Sequence, residues 1–241
     1  MTIRKNLEAL EQKIAEAAAK SGRRREDITL VAVSKTVGAA EVAEAYGAGQ
    51  RIFAENRVQN LLEKLSSVEA YGLEQADWHL IGTLQTNKVK YIIDKVCMIH
   101  SVDSLKLAEE IDKRAAQHGI TMDILIQVNS AMEESKFGIT TEETGKLIED
   151  ILENCPNIRI RGLMCIAPFE DNPEDAAQYF AAVKKLYDEY GKLDNPRIDF
   201  KYLSMGMSND FEVAIEEGST LIRVGTSIFG ARDYSRKMGG N

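Results

Sequence analysis

The chain has 241 residues, 44% of them hydrophobic, and 30 basic against 38 acidic side chains give a formal charge of −8. That length suits one large domain with a real core, expected to span residues 1–241, and the acidic balance speaks against nucleic-acid binding. The three cysteines (Cys97, Cys155, Cys165) have no metal-binding spacing, no apolar run reaches the roughly 18 residues of a membrane span, and the charged N-terminus lacks a signal-peptide core, so a cytoplasmic protein with reduced thiols is expected.

In chain order, Ile3, Leu7, Leu10, Ile14 and Ala17 recur at helical spacing, and Ser21-Gly22 marks the helix end. An apolar, β-branched run at 28–35 then reads as a first strand. Further strands are expected at 51–56, 78–84, 97–102, 122–129, 158–167, 201–205 and 221–225. Helical patterns at 39–46, 57–68, 86–93, 104–117, 141–152, 173–190 and 209–216 separate them. Ser104, Thr141 and Asn209 read as N-caps, and Asn172-Pro173 opens the longest helix. Regular strand–helix alternation predicts an α/β fold, a (β/α)8 TIM-type barrel with one extra N-terminal helix. An open, doubly wound sheet is the alternative.

Barrel chemistry sits at the C-terminal ends of the strands. Those ends read Ser34-Lys35, Glu55-Asn56, Gly82-Thr83, Ser101, Asn129, Cys165, Ser204 and Arg223. If Lys35 points inward, so do Val33 and Val31, by the period of two. Partial desolvation would then favour a nucleophilic amine over the ammonium. Position alone does not separate this from a strand-end lysine whose head reaches solvent. Arg223 reads either as half of a buried ion pair or as a donor aimed at an anion or a heteroaromatic nitrogen. Small residues follow strands seven and eight, in Ser204-Met205-Gly206-Met207-Ser208-Asn209 and Gly225-Thr226-Ser227. They let backbone N–H groups approach a ligand, at the common phosphate site of this barrel.

Other patterns lead nowhere. The segment 82–88 starts like a P-loop but has Asn87 where a glycine is needed, and Tyr46-Gly47-Ala48-Gly49 ends a helix rather than opening one. His79, His100 and His118 lack the partners of a hydrolase triad and read as structural. Glu133, Glu134 and Glu170 read as solvated loop residues. Lys136, in the loop after strand five, is a second amine on the Lys35 side, or a solvated loop lysine.

Several segments together resemble one family. They are Leu30-Val31-Ala32-Val33-Ser34-Lys35-Thr36, Glu55-Asn56-Arg57-Val58-Gln59, Trp78-His79-Leu80-Ile81-Gly82, Leu84-Gln85-Thr86-Asn87-Lys88, Glu134-Ser135-Lys136-Phe137-Gly138, Arg161-Gly162-Leu163-Met164, Leu203-Ser204-Met205-Gly206-Met207-Ser208 and Ile222-Arg223-Val224-Gly225-Thr226. On them the chain is similar to the pyridoxal phosphate homeostasis proteins. The resemblance implies a barrel like the N-terminal domain of alanine racemases, with pyridoxal 5'-phosphate held as an aldimine on Lys35. By the same resemblance Arg223 lies beside the pyridine nitrogen, Ser208, Gly225 and Thr226 cradle the phosphate, and Asn56 lies near the ring. Thr83 and Ala54 depart from common forms of the motifs, where many relatives carry His and Gly.

A cation at the pyridine nitrogen opposes its protonation and weakens the ring as an electron sink. Residues 227–241 leave no room for the racemases' C-terminal domain and its base, and Tyr234 there reads as surface. The resemblance therefore implies a non-catalytic protein, expected to be monomeric, that buffers the cofactor or delivers it to apo-enzymes. An amino-acid racemase and a cofactor-free Schiff-base aldolase are the alternatives.

Overall fold

The computed structural model describes residues 2–131 and 137–230. Within them, strands β1 (Thr29–Val33), β2 (Ile52–Glu55), β3 (Asp77–Leu80), β4 (Met98–Val102), β5 (Met122–Val128), β6 (Ile158–Cys165), β7 (Ile198–Ser204) and β8 (Leu221–Val224) pair in parallel and in chain order. Thr29, Leu30, Val31 and Ala32 then pair with Leu221, Ile222, Arg223 and Val224, so β8 closes on β1 and the open-sheet alternative falls. Helix α1 (Ile3–Lys20) precedes the barrel. After the strands come α2 (Ala39–Gly47), the pair α3 (Val58–Leu65) and α4 (Val68–Tyr71), α5 (Thr86–Val89), α6 (Leu105–His118), α7 (Thr144–Asn154), α8 (Ala177–Tyr190), α9 (Phe211–Glu216) and α10 (Thr226–Phe229).

The strand pleat sorts the apolar residues into two cores. Leu30, Ala32, Phe53, Leu80, Ile99 and Ile124 pack outward with helix residues such as Leu61, Ile111 and Phe180. Val31, Ala54 and Leu221 form one small inner cluster, and Met98, Leu125 and Met164 form a second, with Tyr202 against both. This is the filled interior of a small barrel, whose side chains come from strands of alternate facing. At the N-terminal end, Asp123 meets Arg159 at 2.6 Å and Arg161 at 3.4 Å. That end of the fold is the one where polar residues serve stability.

Several boundaries differ from the sequence pattern. The helix expected over 57–68 breaks into α3 and α4, and of 86–93 only Thr86–Val89 is α-helical. Thr140, not Thr141, bonds ahead of α7, its Oγ1 accepting from Glu143 N at 3.3 Å. Asp210, not Asn209, precedes α9, and its carboxylate accepts from Met207 N at 2.5 Å. The first strand stops at Val33 instead of running to Lys35. Ser34 N still bonds Ala54 O at 3.0 Å, but Val37 N then turns back to Ser34 O at 3.1 Å, a β-turn that ends the ladder.

Helix α1 is part of the barrel's outer layer. α10 has four residues, too few to cover the β8–β1 seam, and α1 packs there. Asn6 Nδ2 bonds Ile228 O at 2.8 Å and Ile3 N bonds Glu44 at 3.1 Å, tying α1 to α10 and α2. Ile14 in its middle is fully buried. Ile14→Ala should therefore cost roughly 2–5 kcal/mol in a urea titration; a loss below about 1 kcal/mol would show α1 to be peripheral.

Candidate functional site

Barrel closure gathers the expected residues on four adjoining strand ends, β7, β8, β1 and β2. Lys35 follows β1 in its closing turn, Asn56 follows β2, and Ser208 lies in the loop after β7. Arg223 stands in β8 opposite Val31, with Gly225 and Thr226 just beyond it. Gly225 and β1 approach so closely that a Cβ on Gly225 would lie 2.9 Å from Val33 O. Asn56 is half-buried, and a Cβ on Gly82 would lie 2.2 Å from its carbonyl oxygen, so Gly82 lets the β3 loop close against it. Ser208 is half-buried and Thr226 exposed. Thr83 is exposed, and Ala54 lies in the inner cluster. Lys136, Glu133, Glu134 and Tyr234 lie outside the described residues.

The desolvation expected of Lys35 is not found: the residue is exposed. It follows β1 in the turn at the C-terminal end of the barrel. The alternation itself holds, since Val31 lies in the inner cluster and Val33 lies against Gly225.

What fixes this turn is a buried ion pair that the sequence reading did not single out. Lys64 of α3 pairs with Glu55 of β2, and their side chains are 7% and 0% exposed. Lys64 Nζ also donates to Ser34 O at 3.0 Å, and Ser34 Oγ donates to Glu55 Oε1 at 2.7 Å. The residue before Lys35 is thus held by both partners of the pair. Glu55 Oε2 is buried and has no hydrogen-bond partner among the described residues. A signal was present, because Lys64 sits three residues after the buried Leu61 on the apolar stripe of α3. A lysine there needs a buried acceptor, and Glu55 ends an apolar strand.

A second buried polar group fills the upper lumen. Arg223 is 4% exposed, and its guanidinium donates to Ser204 Oγ at 2.7 Å and to Cys165 O at 2.9 Å. Burial pulls the guanidinium below its ordinary value, although arginine remains charged. His100 Nδ1 lies 3.3 Å from Ser204 Oγ, and His100 Nε2 lies 3.0 Å from His79 Nδ1. Burial lowers His79 to about 4. It also takes His100 well down, helped by the charges of His79 and Arg223. Burial raises the Cys165 thiol to about 12, so this residue is no thiolate nucleophile. Among the described residues, no group of three or more His, Cys, Asp or Glu could hold a metal, and no helix is long and apolar enough to cross a membrane.

Comparison with known proteins accords with this geometry. The family model for the alanine racemase N-terminal domain matches residues 5–233. A pyridoxal phosphate homeostasis protein of Aquifex aeolicus is 45% identical over 223 residues, 92% of this chain and 95% of its own. One from Homo sapiens is 41% identical over 239 residues, covering 96% and 87%. The structure of PipY from Synechococcus elongatus with PLP bound superposes with a TM-score of 0.76 at 36% identity, covering 90% of this chain and all of its own. An alanine racemase of Clostridium difficile gives a TM-score of 0.69 at 18% identity over 56% of its length, a likeness of fold alone.

Two stability experiments follow from the buried groups. Lys64→Met strands the Glu55 carboxylate and should cost roughly 3–5 kcal/mol, and Glu55→Gln in the same chain should restore a good part. Equal losses in the single and double variants would show that the pair does not act as one unit. The histidines set a pH dependence. In the unfolded chain His79 titrates near 6.5 and in the folded one near 4. Between those values the unfolded state binds the extra proton, so stability falls as pH drops from 6.5 toward 4, by roughly 3 kcal/mol for His79. His79→Gln should flatten that slope in urea titrations; an unchanged slope would contradict the burial argument.

Proposed function

The chain belongs to the family of the pyridoxal phosphate homeostasis proteins, on the fold of the alanine racemase N-terminal domain, and we propose that it binds pyridoxal 5'-phosphate at the β7–β8–β1–β2 side of the mouth, to store the cofactor and hand it on. The observation that carries this reading is the juxtaposition made by closure. A buried cation, Arg223, stands on β8 beside β1, and β1 ends in an exposed amine, Lys35.

The residues present suit the group. Pyridoxal 5'-phosphate, when bound, offers an aldehyde to an amine, an aromatic nitrogen to a donor and a dianion to N–H and O–H groups. Lys35 would hold the aldehyde covalently, and its exposure leaves the amine open to an incoming carbonyl. Arg223 would donate to the pyridine nitrogen and so oppose its protonation. Gly225, Thr226 and Ser208 would take the phosphate, with Gly225 giving room for backbone approach where a Cβ would meet Val33 O. Asn56 would lie near the ring, held by its contact with Gly82.

Arg223 also supports holding over turnover. A ring kept unprotonated is a poor electron sink, so loss of a substrate's Cα proton gains little. The naming of the close relatives points the same way. On this reading the protein acts as a monomer in the cytoplasm, and its partners are the cofactor and PLP-dependent apo-enzymes.

Two measurements test the proposal. The protein mixed with pyridoxal 5'-phosphate should develop a visible band distinct from that of the free cofactor. It should then pass the cofactor to an apo-enzyme at a rate other than that of free release. Transfer only at the free-release rate would leave storage and overturn delivery, and Cα–hydrogen exchange on a panel of free amino acids would favour the racemase reading. Arg223→Glu should shift the band by favouring the protonated ring; an unchanged spectrum and affinity would remove Arg223 from the ring nitrogen.

A further inference from the structure

We propose that His100, backed by His79, is a positioning residue for Arg223, acting through Ser204 in a one-way hydrogen-bond chain that aims the guanidinium without setting a carboxylate against it. The inference rests on the reading above that Arg223 faces the pyridine nitrogen.

The direction of the chain follows from its donors. A guanidinium has no acceptor, so Ser204 Oγ must accept from Arg223 at 2.7 Å. The Ser204 proton then points elsewhere, and His100 Nδ1 lies 3.3 Å away to receive it. With Nδ1 accepting, a neutral His100 carries its proton on Nε2 and donates to His79 Nδ1 at 3.0 Å. His79 in turn carries its proton on Nε2. Each group presents its electron-rich side toward Arg223. The chain runs from β8 to β7, crosses the lumen to β4 and ends on β3. His79 and His100 are 5% and 0% exposed, which leaves them little freedom to turn.

The chemistry explains the choice of groups. A buried carboxylate bonded to Arg223 would neutralise the charge and engage the N–H groups that a ligand needs. A hydroxyl and two neutral imidazoles stabilise the cation by dipoles alone and leave its charge to act on whatever lies beyond. Among the described residues Asp210 is the carboxylate that acts on Arg223, and it is engaged by Met207 N at 2.5 Å. Cys165 contributes its backbone carbonyl to Arg223, and its thiol stays protonated.

The test uses the full chain loaded with pyridoxal 5'-phosphate and reads the absorption spectrum against pH together with cofactor affinity. His100→Phe removes the acceptor for Ser204. It should weaken binding by about tenfold or more and shift the spectral titration toward the protonated ring. His100→Gln, whose carbonyl can accept from Ser204 and whose amide can donate to His79, should restore both. Met98→Ala, in the same lumen but outside the chain, should lower the melting temperature of the apo-protein without moving the spectrum. If His100→Phe does not fold, Ser204→Ala with Ser204→Thr as rescue makes the same comparison. Wild-type spectrum and affinity in His100→Phe, alongside a shifted spectrum in Arg223→Gln, would overturn the chain and leave the site reading standing. No shift in either variant would overturn the placement of Arg223 at the ring, and the chain's role with it.

Discussion

Four residue pairs join β8 to β1 and close the barrel. This pairing sets Val31 opposite Arg223 and brings Gly225 against Val33. Without closure, Lys35 would end the first strand of a sheet whose last strand held Arg223, 188 positions later in the chain. With closure, the two lie on neighbouring strand ends, and Asn56 and Ser208 flank them on β2 and after β7. The seam also explains α1, which covers the stretch that the four-residue α10 leaves bare.

Closure creates a cost that the interior has to offset. The closed barrel contains Arg223, His79, His100 and Ser204, all of them buried. An unpaired buried cation would be prohibitive. Here the charge is met by a hydroxyl, a backbone carbonyl and, through Ser204, two imidazoles that burial keeps neutral. Outside the barrel wall the solution differs. Lys64 and Glu55 form a true ion pair, and its work is mechanical, holding Ser34 and thereby the turn that carries Lys35. One buried cation is neutralised where structure is needed, and the other keeps its charge where a ligand is expected.

Much of this was legible in the chain. Apolar runs of strand length alternating with helical stripes lead to the eight-stranded barrel, because hydrophobic period is the strongest local signal a sequence carries. The polar strand ends lead to Lys35 and Arg223 on one face of it. What was not legible depends on contacts made only after folding. The β-turn at Ser34 ends β1 through a bond from Val37 N to Ser34 O, and Lys35, within that turn, is exposed. The break between α3 and α4 falls at Ser66 and Ser67, where no glycine or proline announces it. His79 and His100 lie 21 positions apart on separate strands, and only the β3–β4 pairing brings His79 Nδ1 within 3.0 Å of His100 Nε2. Lys64 is the intermediate case: its place on an apolar stripe called for a carboxylate, but not for Glu55 in particular.

Lys35 is proposed as the amine that holds the cofactor. Borohydride reduction of the wild-type protein loaded with pyridoxal 5'-phosphate, followed by mapping of the labelled peptide, puts this to the test. A single major label is expected on the peptide containing Ser34-Lys35-Thr36. A major label on another lysine, or none after loading to a full visible band, would contradict it.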